Sequence, residues 1–240
     1  MQPKVLLLQA RHFDDPMAAH EHACFVERSG LSAAQVVPHD LCVGPPSLSQ
    51  VQEYDALMVG GSGDYYVSAA NLPEFAGFLD LLREIVEVGH PTFASCFGYQ
   101  SLVEALGGEV VFDAANTEVG TYLVTLTSAG REDELFGSLP ERFNAQLGHK
   151  DRAVAHPEGI PNLAGSAASP FQALRVPDKP IWASQFHPEL DRAANQDRYR
   201  HYLEGYASHL SAEEMATTLE RFDDSPESSG LLRRFVELVF

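Results

Sequence analysis

The chain has 240 residues, 45% of them hydrophobic and 21% charged, with a formal net charge of −18. That balance describes a globular chain able to bury a substantial core, and its acidity argues against nucleic acid or an anionic membrane surface as a partner. Three cysteines, Cys24, Cys42 and Cys96, are too few and too odd in number for a disulfide framework. No apolar run approaches the ~20 residues of a membrane span. The short apolar start after Lys4 reads as a first strand, not a signal peptide, so the expected location is the cytoplasm.

The first half alternates between two periodicities. Val5–Gln9 is short and continuously apolar, as a buried strand is. Pro16–Ser29 follows Asp14-Asp15 and stops at Gly30, which is helix start and stop chemistry. Ala33–Pro38 and Ala56–Val59 are the next strands. In Glu74–Val88 the residues Phe75, Phe78, Leu79, Leu82, Ile85 and Val86 recur at helical spacing, and Gly89 ends the segment. Pro91–Ala94 predicts a strand, and Phe97–Leu106 a helix closed by Gly107-Gly108. Strands of this kind separated by helices predict an open, mostly parallel α/β sheet with helices on both faces.

After Gly108 the pattern changes. Glu109–Asp113, Val119–Thr127, Phe143–Leu147, Leu163–Ala168, Phe171–Val176 and Ile181–Gln185 are short strand candidates, expected to form hairpins and finish the sheet. From Asp191 the chain turns helical, with one stripe of Tyr199, Tyr202, Leu203, Tyr206 and Leu210. Another stripe is Leu231, Leu232, Phe235, Val236 and Val239, with Pro226 near its start. No linker interrupts the chain. The reading is one domain over residues 1–240, with a core to about 190 and a helical extension from about 191 that either covers the sheet, the favoured role, or offers a partner surface.

Two segments carry chemistry. Cys96 falls on a strand-to-helix turn, in Ala94-Ser-Cys-Phe-Gly98. The small residues two before and two after it suit a tight elbow, and a helix N-terminus favours the thiolate form. Ninety residues on, Gln185-Phe-His-Pro-Glu189 sets His187 after an apolar strand with a carboxylate two residues away. A carboxylate on one imidazole nitrogen fixes the tautomer and leaves the other for the thiol. Upstream, Ala56–Val59 runs into Gly60-Gly61-Ser62-Gly63, where backbone N–H groups can approach a developing oxyanion. This loop does not fit a phosphate-binding Gly-x-x-x-x-Gly-Lys-Ser/Thr pattern. His20-Glu21-His22 looks metal-like, but positions two apart on a helix face different ways, so the two histidines read as solvated. No metal site and no cofactor are expected. Cys24 reads as helix packing, and Cys42 as a loop residue without a role.

Taken in order, these pieces resemble the class I, triad-type glutamine amidotransferase domain, most closely its stand-alone, GMP-synthase-like members. The resemblance runs from about Val5 to Leu190. It rests on Gly60-Gly61, Ala94-Ser-Cys-Phe-Gly-Tyr-Gln100, the helix ending Ala105-Leu106-Gly107-Gly108, and Gln185-Phe-His-Pro-Glu189. It implies a flavodoxin-like glutaminase fold. It also implies that Cys96 attacks the amide carbon of L-glutamine, His187 is its base and Glu189 orients His187. The N–H groups of Gly61 and Phe97 would hold the oxyanion, and Gly60 and Gln100 would meet the substrate. Ammonia would pass to an acceptor, which implies a synthase subunit as partner. His149-Lys-Asp151 resembles a His-x-Asp segment that lies just behind this site. The family's usual glycine two before the cysteine is Ala94 here, and its common proline after Gly-Gly is Ser62.

Other readings use the same residues. With an unchanged triad, the substrate could be a γ-glutamyl peptide or γ-glutamyl amide, with Tyr65, Tyr66 and Tyr99 accepting a larger leaving group. The fold could also serve as a non-catalytic regulatory module, or as a flavodoxin-like binding protein, which has no need of Cys96 and His187 together.

Overall fold

A computed structural model describes residues 2–12, 14–202 and 212–240. Among these, nine strands form one sheet in the order β2-β1-β3-β4-β11-β10-β9-β6-β7. The parallel half consists of β2 (Val36–Asp40), β1 (Val5–Ala10), β3 (Ala56–Ser62), β4 (Thr92–Ser95) and β11 (Ile181–Ser184). The antiparallel half continues through β10 (Ala173–Arg175), β9 (Asn162–Gly165), β6 (Glu118–Leu126) and β7 (Arg142–His149). A separate two-stranded ribbon pairs β5 (Glu109–Phe112) with β8 (Asp151–Ala155).

The sheet has a core on each side because strand residues alternate. Leu6, Leu8, Leu57 and Val59 face one cluster with Phe75, Phe78 and Leu82 of α3 (Phe75–Val88). Val5, Leu7, Met58 and Phe93 face the other, with Phe25 of α1 (Pro16–Ser29). The predicted caps form. Asp15 accepts from the Met17 N–H at 2.7 Å, and Gly30 and Gly89 close α1 and α3 in the left-handed region at φ 76° and 69°.

The last helix, Leu231–Val239, belongs to the second core cluster. Its Phe235 is fully buried, with ring centroids 5.8 Å from Phe93 and 6.1 Å from Trp182. A 3₁₀ turn at Ser228–Gly230, not Pro226, leads directly into it. Helix α6 (Arg192–His201), earlier in the chain, lies against β7 and β6. Leu203, Tyr206 and Leu210 of the predicted stripe lie outside the described residues.

Several expected boundaries move, each for a local reason. The strand expected over Ala33–Pro38 begins at Val36, because Ser32 and Gln35 close a turn around Ala33-Ala34 (Gln35 N–H to Ser32 O, 2.9 Å). Pro38 is accommodated because β2 is an edge strand. Leu163–Ala168 stops at Gly165, where Ser166 and Ser169 make another turn. Glu109–Asp113 does not join the main sheet. Of β5 only Val110 is buried, and it pairs with β8, a strand the sequence reading missed because Asp151-Arg152 begins it.

Because Phe235 fills the space between Phe93 and Trp182, Phe235→Ala should cost about 3–5 kcal/mol of stability. Urea unfolding monitored by Trp182 fluorescence checks this; a loss under about 1 kcal/mol would mean the C-terminal helix does not complete the core.

Candidate active site

The end of β4 delivers Cys96 under backbone strain. The residue sits at φ 50°, ψ −103°, a conformation that side chains rarely adopt. It is pinned there from both directions: its N–H donates to Ser184 O on β11 at 2.8 Å, and its carbonyl accepts the Gln100 N–H at 2.9 Å. The helix α4 (Phe97–Ala105) then begins. Gly98 is required by contact, since a Cβ there would lie 2.8 Å from the Val59 side chain. Ala94 needs no glycine freedom, for it is absent from the positive-φ positions and pairs regularly with Val59 and Ala183.

His187 reaches the same place from the neighbouring strand. Its N–H donates to Gln146 O (2.9 Å), its carbonyl accepts from Leu190 (3.2 Å), and Phe186 anchors the turn between Phe136 and Phe143. The Cys96 sulfur acts electrostatically on the imidazole, whose Nδ1 donates to Glu189 Oε1 at 2.7 Å. An ionised carboxylate only accepts, so the proton is on Nδ1 and Nε2 is the nitrogen left for sulfur. A second contact on the thiol comes from Gln185, whose Nε2 lies 3.7 Å from Sγ. Gln100 supports that amide: its own Nε2 donates to Gln185 Oε1 (3.0 Å) and to Asp151 O (2.8 Å).

The electrostatics follow from burial. Desolvation alone would strip His187 of its proton, but the Glu189 carboxylate and the Cys96 sulfur outweigh it and raise the imidazole pKa. Desolvation would also keep Glu189 protonated; His187 and then Arg198 reverse this and hold the carboxyl below its ordinary range.

A group of charges that the sequence reading missed stands behind the pair. Arg198 Nη1 is 3.1 Å from Glu189 Oε1, and its Nη2 is 3.3 Å from Glu21 Oε1. Arg11 Nη2 meets the same Glu21 oxygen at 3.1 Å, and Gln9 Nε2 donates to Glu21 Oε2 at 3.0 Å. Glu21 itself is fully buried. His20 and His22 beside it are partly exposed, and His22 bonds Val36 O at 2.8 Å. A signal was present in the sequence. Glu21, Phe25 and Ser29 recur every fourth residue on the buried face of α1, so a carboxylate occupies an apolar stripe.

Glu21 also corrects two expectations. The Gly61 N–H, expected as an oxyanion donor, is given to Glu21 Oε1 at 3.1 Å, because a buried carboxylate takes every donor within reach. The α-face of Gly61 instead floors the imidazole, where an added Cβ would lie 2.9 Å from His187 Cε1. Gly60, expected to meet substrate, packs on Glu21, whose carboxyl would be 2.8 Å from a Cβ there. Phe97 opens α4, and the first N–H groups of a helix have no intrahelical acceptor, so it keeps the geometry of a donor.

Two cavities meet at the site. A small one of about 40 Å³ is lined by Cys96, Phe97, Gln100 and His149, and a larger one of about 350 Å³ by His187, Arg198, Asn195 and Tyr202. They share Ser62, Gly63, Tyr66, Gly148 and Lys150. Tyr65 and Tyr66 are at these walls, but Tyr99 is not. It is fully buried, with its hydroxyl on His156 Nε2 (2.7 Å) and Phe171 O (3.1 Å). His149, on the wall of the small cavity, is held by Asp151 O (2.9 Å) and Glu118 (3.1 Å), while the Asp151 carboxylate accepts from Ser68. Among the described residues no group of three or more His, Cys, Asp or Glu side chains could hold a metal ion, and no helix is long and apolar enough to cross a membrane.

Comparisons with known proteins add to this geometry. A model of the family described as "Glutamine amidotransferase class-I" matches residues 32–201. The chain is 31% identical over 137 residues to the GMP synthase (glutamine-hydrolyzing) of Aquifex aeolicus (strain VF5), covering 57% of this chain and 24% of that protein. It is also 31% identical over 150 residues to that of Streptococcus pneumoniae (strain CGSP14), covering 62% and 26%. The chain thus spans about a quarter of the curated relatives it matches. In fold it is similar to a glutamine amidotransferase from Thermotoga maritima (TM-score 0.72, 20% identity, 100% of this chain and 99% of that one). A second similar structure is a glutamine amido transferase from Methylobacillus flagellatus (TM-score 0.69, 19% identity, 100% and 92%).

The two pKa shifts give a pH signature. The contribution of a raised His187 pKa is full below the ~6.5 of a free imidazole and is lost as pH rises through the folded value. The contribution of a lowered Glu189 pKa is present above the ~4.3 of a free carboxylate and is lost as pH falls through its folded value. The stability difference between wild type and His187→Gln should therefore peak between about pH 4.3 and 6.5 and shrink at alkaline pH. Urea denaturation across pH measures it; a flat difference would mean the imidazole carries no extra proton.

Proposed function

The chain belongs to the class-I glutamine amidotransferase family, and from that premise we propose that it hydrolyses the side-chain amide of L-glutamine through a thioester on Cys96. His187 Nε2 already holds the proton given up by the thiol, as its raised pKa favours, when Sγ bonds to the amide carbon. The resulting oxyanion is held by the Phe97 N–H at the positive end of α4. His187 returns the proton to the amide nitrogen, the C–N bond breaks, and ammonia leaves. Water then gives a proton to His187 and its oxygen to the thioester carbon; sulfur departs, is reprotonated, and glutamate is released. Glu189 keeps the proton on Nδ1 throughout, so the exchanging nitrogen is always Nε2.

One observation carries this reading: a strained cysteine at a helix start lines a cavity that adjoins the one lined by a buried histidine, whose Nδ1 is bound at 2.7 Å to a buried carboxylate. The curated relatives are about four times as long as the matched region. An ammonia-accepting synthase is accordingly the partner this reading calls for. The larger cavity on the His187 side favours a second substrate class, because the leaving nitrogen departs toward His187. A γ-glutamyl amide with a bulkier amine would use the same chemistry and fill that space.

Glutamate release from L-glutamine by wild type, Cys96→Ala and Glu189→Gln is the test, alone and with candidate synthase subunits. Cys96→Ala should lower kcat at least about 10³-fold, and Glu189→Gln by roughly 10²- to 10⁴-fold, with the fold intact. Wild type no faster than Cys96→Ala would end this reading. Comparing kcat/KM for L-glutamine and a panel of γ-glutamyl amides decides the substrate class.

A further inference from the structure

Arg198 comes from α6, the segment whose expected task was to cover the sheet. Its guanidinium instead spans two buried carboxylates. Nη1 lies 3.1 Å from Glu189 Oε1, the same oxygen that accepts His187 Nδ1–H, and 3.4 Å from Nδ1 itself. Nη2 lies 3.3 Å from Glu21 Oε1. The side chains of Arg198, Glu189, Glu21 and Arg11 are 7%, 0%, 0% and 1% exposed. Glu21 gathers Arg198, Arg11 and the Gly61 N–H on a single oxygen.

Stability alone is a poor reason for such a group, because buried ion pairs replaced by apolar side chains are often no less stable. Geometry is a better one. The planar fork of arginine can engage two carboxylates at fixed angles; a lysine ammonium cannot. We propose that Arg198 is a positioning residue for Glu189 and His187, and that Glu21 is the anchor tying Arg198 to the Gly60-Gly61 strand end. Arg198 is placed to act through Glu189. It keeps that carboxylate ionised and aimed while His187 gains and loses a proton at Nε2. Glu21 at the same time holds Gly61 as the floor under the imidazole. Residues from α1, β1, β3 and α6 thereby fix one hydrogen bond.

The inference rests on the triad reading, so its test has a readout that needs no substrate. Glutamate release and the rate of Cys96 alkylation by iodoacetamide, followed by peptide mass spectrometry, are measured for the full-length chain and for Arg198→Ala, Arg198→Lys and Glu21→Gln. Arg198→Ala should lower kcat about 10- to 100-fold with KM within about twofold. Alkylation should slow in parallel, and added guanidinium should restore part of both. Arg198→Lys should lose kcat similarly and ignore guanidinium. Should Arg198→Ala fail to fold by circular dichroism, Arg198→Lys and Glu21→Gln carry the same prediction. Folded Arg198→Lys with wild-type kcat and alkylation overturns the proposal, as does an Arg198→Ala loss confined to KM and blind to guanidinium. If wild type alkylates readily at Cys96 but releases no glutamate, the substrate reading fails while the alkylation series still judges Arg198.

Discussion

A carboxylate taken wholly out of water stays ionised only if other groups replace its hydration. Glu189 meets that condition through His187 and Arg198, and everything else about the site follows from it. Its charge fixes the proton on Nδ1, and that proton position frees Nε2 for the Cys96 sulfur. Arg198 in turn needs its own counter-charge, which Glu21 supplies. The chain of alternating charges ends at Arg11, with Tyr202 and Asp15 beside it. Each carboxylate has two cationic partners, so removing Arg198 would strip one from Glu189 and one from Glu21 at once.

The fold exists, for this purpose, to bring the ends of adjacent parallel strands together. β4 and β11 pair in register from Thr92–Ile181 to Ser95–Ser184, so Cys96 and Gln185 emerge side by side. β3 pairs with β4 on the other flank and brings Gly60 and Gly61 to the same edge. The common location of ligand sites at the carboxyl ends of parallel strands is thus realised with residues ninety positions apart. Strain at Cys96 is held by hydrogen bonds from β11 and α4, neighbours whose own positions are set by the core.

The parallel half was legible because its signals are local. Continuous apolar runs, Asp15 and Gly30 around α1, and Gly89 after α3 each specify an element from neighbouring residues. Cys96 with Gly98, and His187 with Glu189, were legible because short spacing carries their geometry. The rest depended on long-range contact. That Gly61 gives its amide to a carboxylate forty residues earlier cannot be read from Gly60-Gly61. The bond between Arg198 and Glu21 spans 177 positions and two helices, and nothing in either local sequence names the other as partner. Tyr99 faced away from the cleft because α4 is buried on nearly every side, which its nine residues alone do not reveal. The strand over Glu109–Asp113 was legible, but its partner β8 was not, because Asp151-Arg152 begins it, and so the ribbon was not foreseen.

The central claim is that Glu189 fixes the proton on Nδ1 of His187. Two-dimensional ¹H–¹⁵N spectra of the imidazole at neutral pH observe that directly. A protonated Nδ1 with a downfield proton resonance, lost in Glu189→Ala, is the predicted result. A neutral ring protonated at Nε2, with Nδ1 bare, would contradict the account.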